Sequence, residues 1–233
     1  MTTADGPRGT DGWTAAVRQR LGLGRLLPLG GPADGAWISE RAAVAVLRGA
    51  VSGPGPGPVL GKLRISVADP DGAPAAEVEP PPSALPPGPL RMEATMSAMS
   101  GLPLPAAAAQ LRSALLAAAA QRLGLVVAEV DLRVTELLDT SPVPPTPEPA
   151  EVRGARPEGA VGVAAAGVPG VVALTRVLGN AVHTGPGRVR VELATESGHR
   201  ALDVARAVRG AVAAAVEGHP SVTVLVTAVA ERD

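Results

Sequence analysis

Cysteine is missing from all 233 residues, which excludes disulfides, thiolate nucleophiles and cysteine metal ligands. Tyrosine and phenylalanine are also absent, and Trp13 and Trp37 supply the only aromatic rings. A core built without them must be filled by small branched side chains packed closely, and Ala and Val carry most of the 46% hydrophobic content. Lysine occurs once, at Lys62, among 21 basic residues. The net charge of −1 provides no basic surface of the kind that displaces counterions from phosphate. The shortage of aromatics removes the usual platforms for stacking bases. No stretch approaches the roughly 20 unbroken apolar residues of a spanning helix. The opening "MTTADGPRGTDGW" carries no apolar run of signal-peptide type. These absences predict a cytoplasmic chain with no nucleic-acid partner.

What is present reads as alternating helices and strands separated by proline and glycine. Trp13, Val17 and Leu21 recur at helical spacing, with Arg18, Arg20 and Arg25 off that stripe. "LPLGGPADG" (Leu27–Gly35) predicts a break. Ser39 before "ERAAVAVLRGAV" predicts a capped helix. Alternation over Val59–Ala68 predicts a strand from Leu63, with one wet face. The proline-rich stretch Asp69–Pro89 predicts a loop of polyproline character, unable to order itself fully. Further strands are predicted at Leu90–Ser97 and Val126–Leu138, with a helix at Pro105–Leu123 between them that stops at Gly124. Thr140–Pro157 reads as a linker.

The same series then recurs. Helix Glu158–Val168, strands Val171–Leu178 and Val189–Ala194, helix His199–Glu217 and strand Ser221–Val229 repeat the earlier order. Ala43, Val44, Val46 and Val51 align with Ala160, Val161, Val163 and Val168 at one constant offset, and "LRSAL" (Leu111–Leu115) matches "VRGAV" (Val208–Val212). The expectation is an α+β protein of two tandem helix–strand–strand–helix–strand modules, with three-stranded sheets each covered on one face by helices. The predicted divisions are a tail with a short amphipathic helix (1–36), a first module with a proline-rich insertion at 69–89 (37–139), a linker (140–157) and a second module (158–233).

The second copy resembles the bacterial alkaline shock protein family. The resemblance rests on Val168-Pro169-Gly170-Val171, on Gly198 after "VRVELATES", on Val204-Ala205-Arg206-Ala207-Val208 and on the closing "SVTVLVTAV". It covers Glu158–Val229 well and the first half more weakly, where "VSGPGPG" stands in place of the "VPGV" turn. The whole chain is also similar to actinobacterial proteins labelled as a nucleopolyhedrovirus fibrous-protein family. The alkaline shock resemblance implies a non-enzymatic protein linked to cell-envelope stress, often held at the membrane by a partner.

Candidate chemistry is sparse. His183, His199 and His219 lack ligand spacing, and they read as exposed structural residues rather than a metal set. Glu93 and Glu192 occupy matching strand positions. They could form an acid–base pair only on a concave surface; they read instead as part of a wet face shared with Arg91 and Arg190. "GPGPGP" (Gly53–Pro58) and "GPGR" (Gly185–Arg188) lack the order of a phosphate loop, and their prolines remove the donors such a loop needs. No catalytic, cofactor or metal residue is assigned. Trp13, Val17, Leu21, Arg18 and Arg25 are the candidates for contact with a partner or with an anionic membrane surface; the other reading folds this helix over its own domain. The expected function is a non-catalytic scaffold or protein-binding protein without cofactors, working through a protein partner or self-association. A binder of a small apolar ligand or lipid is the alternative.

Overall fold

The structure, a computed structural model, describes residues 23–52, 57–101, 103–140 and 152–231. It is α+β, with helices lying between a seven-stranded and a three-stranded sheet.

The smaller sheet is formed by β3 (Val59–Val67), β4 (Leu90–Met99) and β5 (Val127–Leu138), in that order. β3 runs antiparallel to β4, and β4 parallel to β5. Alternation decides its faces: Leu90, Met92, Ala94, Met96 and Ala98 point inward and are buried, while Arg91, Glu93, Thr95 and Ser97 face out. Crossing from β4 to β5 is α2, Leu104–Ala118, whose final residues Ala119–Leu123 widen into a π turn. Gly124 ends it at φ 89, as the glycine stop signal predicts.

The larger sheet contains β7 (Val171–Thr175), β8 (Val182–Gly185), β9 (Arg188–Glu196) and β10 (Ser221–Ala230). β7 and β8 pair antiparallel with successive parts of β9, and β9 runs parallel to β10. The strand expected at Val171–Leu178 is therefore shorter, and Val182–Gly185 completes its path after a loop. Helix α3 (Gly159–Ala166) precedes β7, and α4 (Ala201–Ala215) joins β9 to β10. On α4 the buried positions are Ala201, Leu202, Val204, Ala205, Val208 and Val212, and Ala215 is exposed.

Three expectations are corrected here. The segment read as a break forms a hairpin: β1 (Leu26–Leu29) turns into β2 (Ala36–Ser39), which lies parallel to β10. Leu27, Leu29 and Ile38 face the helices, while Leu26 and Trp37 face outward, so both faces of this hairpin are apolar and both are covered. That is why no period-two pattern marked it. The expected boundary at 36/37 thus falls inside β2, and this sheet is not three-stranded. At the end of the expected linker, β6 (Gly154–Ala155) pairs with β7. β3 also starts earlier than Leu63, because its ladder passes through an irregularity between Leu60 and Leu63.

Helix α1 (Glu40–Val51) follows β2 directly. Ser39 Oγ accepts from Ala42 N at 3.2 Å, the N-cap that the sequence predicts, and donates to Thr227 O on β10 at 3.0 Å. α1 touches β2 and β10 of one sheet and β3 of the other, so a single apolar cluster runs through both. Ala43 and Leu47 on its inner face are fully buried. The alignment offset between α1 and α3 does not carry over to burial: Ala43 is buried, but Ala160 is exposed.

α4 holds the β1–β2 turn by charge. Arg206 pairs with Asp34 (Nε–Oδ1 2.7 Å, Nη2–Oδ2 3.1 Å), and Arg209 donates to the carbonyls of Ala33 and Asp34. Burial pushes the Asp34 carboxyl upward, but the Arg206 hydrogen bond, the Gly31 N–H and the charges of Arg206 and Arg209 outweigh it and hold it below its usual value. A depressed folded value means stability that is fully present above the ordinary carboxylate range and is lost as pH falls through the folded value. Arg206 is half exposed, which screens the pair. Asp34→Asn is therefore expected to cost about 1 kcal/mol at pH 7 in urea unfolding. The gap from the native chain should close as pH drops below about 3.9; a gap that stays constant down to acid pH would contradict this assignment.

Candidate functional site

The proline-rich segment that joins β3 to β4 crosses to the other sheet and lies on its outer face. Glu77 N donates to Pro32 O at 3.2 Å, Leu85 N to Leu26 O at 2.8 Å, Trp37 Nε1 to Leu85 O at 3.2 Å, and Thr223 Oγ1 to Glu79 O at 3.0 Å. Beneath it Leu26, Trp37 and Leu225 form a second apolar cluster, bordered by Ala76, Ala84 and Leu178. The expectation that this segment cannot order itself is overturned for a definite reason. It needs no core of its own, because it borrows the outer face of β1, β2 and β10.

Between this strap and the sheet lies a cleft of about 210 Å³. Pro80, Pro81 and Pro82 wall it from the strap, and His183, Arg188, Val189, Arg190 and Thr223 line it from β8, β9 and β10. A smaller hollow of about 90 Å³, lined by Leu23, Leu26, Pro82, Ser83 and Leu178, adjoins it and shares Arg190. The β8–β9 hairpin positions the cationic side chains: Arg188 and Arg190 are alternate residues of one strand and share its outer face.

Arg188 pairs with Glu79 of the strap, both side chains being about half exposed. Arg190 is mostly buried and approaches Glu192 (Nη2–Oε1 3.6 Å), while its Nε is buried without a hydrogen-bond partner. Glu192 is completely buried, and Oε2 accepts from Val177 N and Leu178 N at 2.9 Å each. The wet-face expectation fails at this residue, because the loop between β7 and β8 folds across it. On the other sheet Glu93 is exposed, and Arg91 pairs with Asp131 and Glu129. Glu93 and Glu192 thus lie on different sheets, one exposed and one buried, and form no acid–base pair.

His183 and Glu79 both line the cleft, a juxtaposition that raises the question of proton transfer. Glu79 is committed to Arg188, and the Thr223 hydroxyl is committed to a backbone carbonyl. The lining offers two cationic side chains, Arg188 and Arg190, and apolar walls, which is chemistry for holding a ligand. His199 is elsewhere, beside Glu196 at 3.5 Å, and His219 follows α4 at φ 49. Among the described residues no group of His, Asp and Glu could hold a metal ion.

Of the partner-contact candidates, Trp13, Val17, Arg18 and Leu21 lie outside the described residues. Arg25 is engaged within the fold: its guanidinium meets Glu40 (Nη2–Oε1 3.2 Å) and donates to Ile65 O, tying α1 to the edge of β3. No helix among the described residues is long and apolar enough to cross a membrane.

Sequence reasoning missed the cleft. Arg188 and Arg190 were visible as charges alternating along a strand, but nothing in the local pattern says that a segment a hundred residues earlier would roof them. Comparison with family models, with curated proteins and with solved structures found no match to this chain.

Proposed function

We propose that this chain is a non-catalytic protein-binding scaffold that takes an extended, acidic peptide segment in the cleft beneath the strap. The observation that carries the reading is the pair of guanidinium side chains, Arg188 and Arg190, that line one proline-walled cleft. Guanidinium groups recognise carboxylates by charge-assisted, often bidentate hydrogen bonds. An apolar ligand would cover two cationic side chains without pairing them, at the desolvation cost of a charged group, so the small-apolar-ligand reading is less well supported.

The same proposal reads the chain as a tandem alkaline-shock-like protein of envelope stress. Supporting it, both halves carry the wiring of an antiparallel strand pair followed by a helical crossover to a parallel strand. Leu111 and Leu115 of α2 are buried like Val208 and Val212 of α4. The next residue in each helix, Arg112 and Arg209, donates from Nε to the buried valine carbonyl of the following strand, Val130 O and Val222 O, at 3.1 Å in both. At the "VPGV" turn Val171 N donates to Val168 O, and Gly170 has φ 86.

Panning a random peptide library on the full chain tests the binding claim. Enriched peptides are expected to contain Asp or Glu in extended sequence. They should bind Arg190→Ala, and the exposed-site variant Arg188→Ala, at least tenfold more weakly. Enrichment of peptides without acidic residues, or binding indifferent to both variants, would overturn it.

A further inference from the structure

The free edge of the smaller sheet is built to receive a strand, and we propose that the strand is β5 of a second copy of this chain. The argument begins with the equivalence of Arg112 and Arg209. In the larger sheet Arg209 marks the side of β10 against which β2 pairs, and there its Nη1 donates to the β1–β2 turn. The corresponding side of β5 carries no strand among the described residues. The opposite edge of the same sheet is closed differently: Arg48 donates to Leu60 O and Gly61 O, and Arg25 to Ile65 O, blunting β3. On the β5 edge Arg112 alone among the described residues covers a carbonyl, and Val130 O retains a second lone pair.

Apolar surface gathers at this edge. Six large hydrophobic residues are exposed among the described residues: Leu104, Leu116, Val126, Val134, Leu137 and Val163. All but Val163 belong to α2, to β5 or to the approach to β5. Helix α2 is apolar almost all round, with Gln110, Arg112 and Ser113 its only polar residues, a composition that calls for burial on more than one face. Ala109 and Leu116 stand at i−3 and i+4 from Arg112, so the face flanking the β5 edge continues the apolar surface.

Self-complementarity selects the occupant. Between its two register irregularities β5 runs regularly over 129–134, with Asp131 and Arg133 on the outer face and Val130, Leu132 and Val134 on the helix side. A two-fold axis through Leu132, perpendicular to the sheet, pairs two copies antiparallel. It places Asp131 opposite Arg133, Val130 opposite Val134 and Leu132 opposite itself. Shifting the axis to residue 131 sets aspartate against aspartate, and to residue 133 arginine against arginine, and directly opposed like charges destabilise strand pairs. Arg133 makes no ion pair among the described residues, whereas Asp131 already holds Arg91 (2.6 Å), so the second copy extends an existing ladder. The product is a continuous six-stranded sheet with both α2 helices on one side, an isologous interface.

Sedimentation equilibrium of the full chain tests this and is expected to show a dimer. Arg133→Asp places like charges across the axis and is expected to raise the dimer dissociation constant at least tenfold. Asp131→Arg does the same with the opposite sign. Mixing the two variants is expected to restore dimer as the heterodimer alone, because an edge carrying two carboxylates then meets an edge carrying two guanidinium groups; this outcome also shows that both variants fold. Leu116→Glu probes the helix face and is expected to weaken association without altering the thermal midpoint of the monomer. A monomeric native chain at tens of micromolar, or a dimer indifferent to Arg133→Asp and Leu116→Glu, would overturn the proposal.

Discussion

Trp37→Ala is expected to cost about 3–5 kcal/mol in equilibrium unfolding, the range for deleting a buried tryptophan. The ring is only 2% exposed, and with Leu26 and Leu225 it forms the whole buried part of the outer-face cluster. Removal leaves a cavity that the neighbouring Ala76 and Ala84 are too small to fill. The indole also donates to Leu85 O, one of the bonds that hold the strap. The effect should therefore extend beyond global stability. In hydrogen exchange, the amides of Glu77 and Leu85 are expected to lose protection first, because they bond to Pro32 O and Leu26 O across the strap–hairpin contact. Trp37→Phe separates the two contributions: it keeps most of the apolar contact and loses the indole donor, for about 1 kcal/mol. Unchanged protection at Leu85 in Trp37→Ala would mean that the prolines alone hold the strap. Loss of peptide binding in the same variant is expected as well, because the cleft has no roof without Pro80–Pro82.

Gly124→Ala is expected to be of similar size, roughly 2–5 kcal/mol, from two sources. At φ 89 a side chain is strained by about 1–3 kcal/mol. A Cβ there would also sit 2.4 Å from Leu202 Cβ and 2.8 Å from its Cδ2, an overpacking that costs about 1–3 kcal/mol. Leu202 is 2% exposed and lies on α4, so the clash pushes apart the two halves of the molecule. Gly124 O accepts from Gly30 N at 3.0 Å, and a Cβ at Gly30 would meet Leu202 Cδ1 at 3.1 Å. The β1–β2 turn, the end of α2 and the start of α4 thus meet around one leucine. The double variant Gly124→Ala/Leu202→Gly measures the steric part, because it removes the Leu202 Cβ and the atoms beyond it but keeps the backbone strain. A double variant whose stability equals the plain sum of the two single losses would show that Leu202 is not what Gly124 must avoid.

Both effects arise at contacts between segments distant in sequence, and this explains how much of the protein could be read in advance. Ser39 as an N-cap, Gly124 as a helix stop and the alternation through Leu90–Ser97 are local codes, each set by a hydrogen bond or a dihedral preference within a few residues. They were legible for that reason. The β1–β2 hairpin was not, because Leu26 and Leu27 are buried on opposite faces by different partners, and a strand covered on both faces has no alternation to detect. Glu192 misled in the opposite way: its alternation was correct, but the loop from Val177 and Leu178 covers the face to which it points.

The sequence by itself determined the kinds and order of the main elements, the α+β class and the absence of thiol chemistry, because composition and short-range backbone preferences carry that information. Only the tertiary structure decided that a proline-rich loop becomes the roof of a cationic cleft and that Arg190 lies beneath it. It alone also decided that β5 keeps an open edge where β10 has a neighbour. Each of these depends on which sheet a segment meets across a hundred or more residues of chain, and burial of apolar surface, which drives such meetings, has no direction along the sequence.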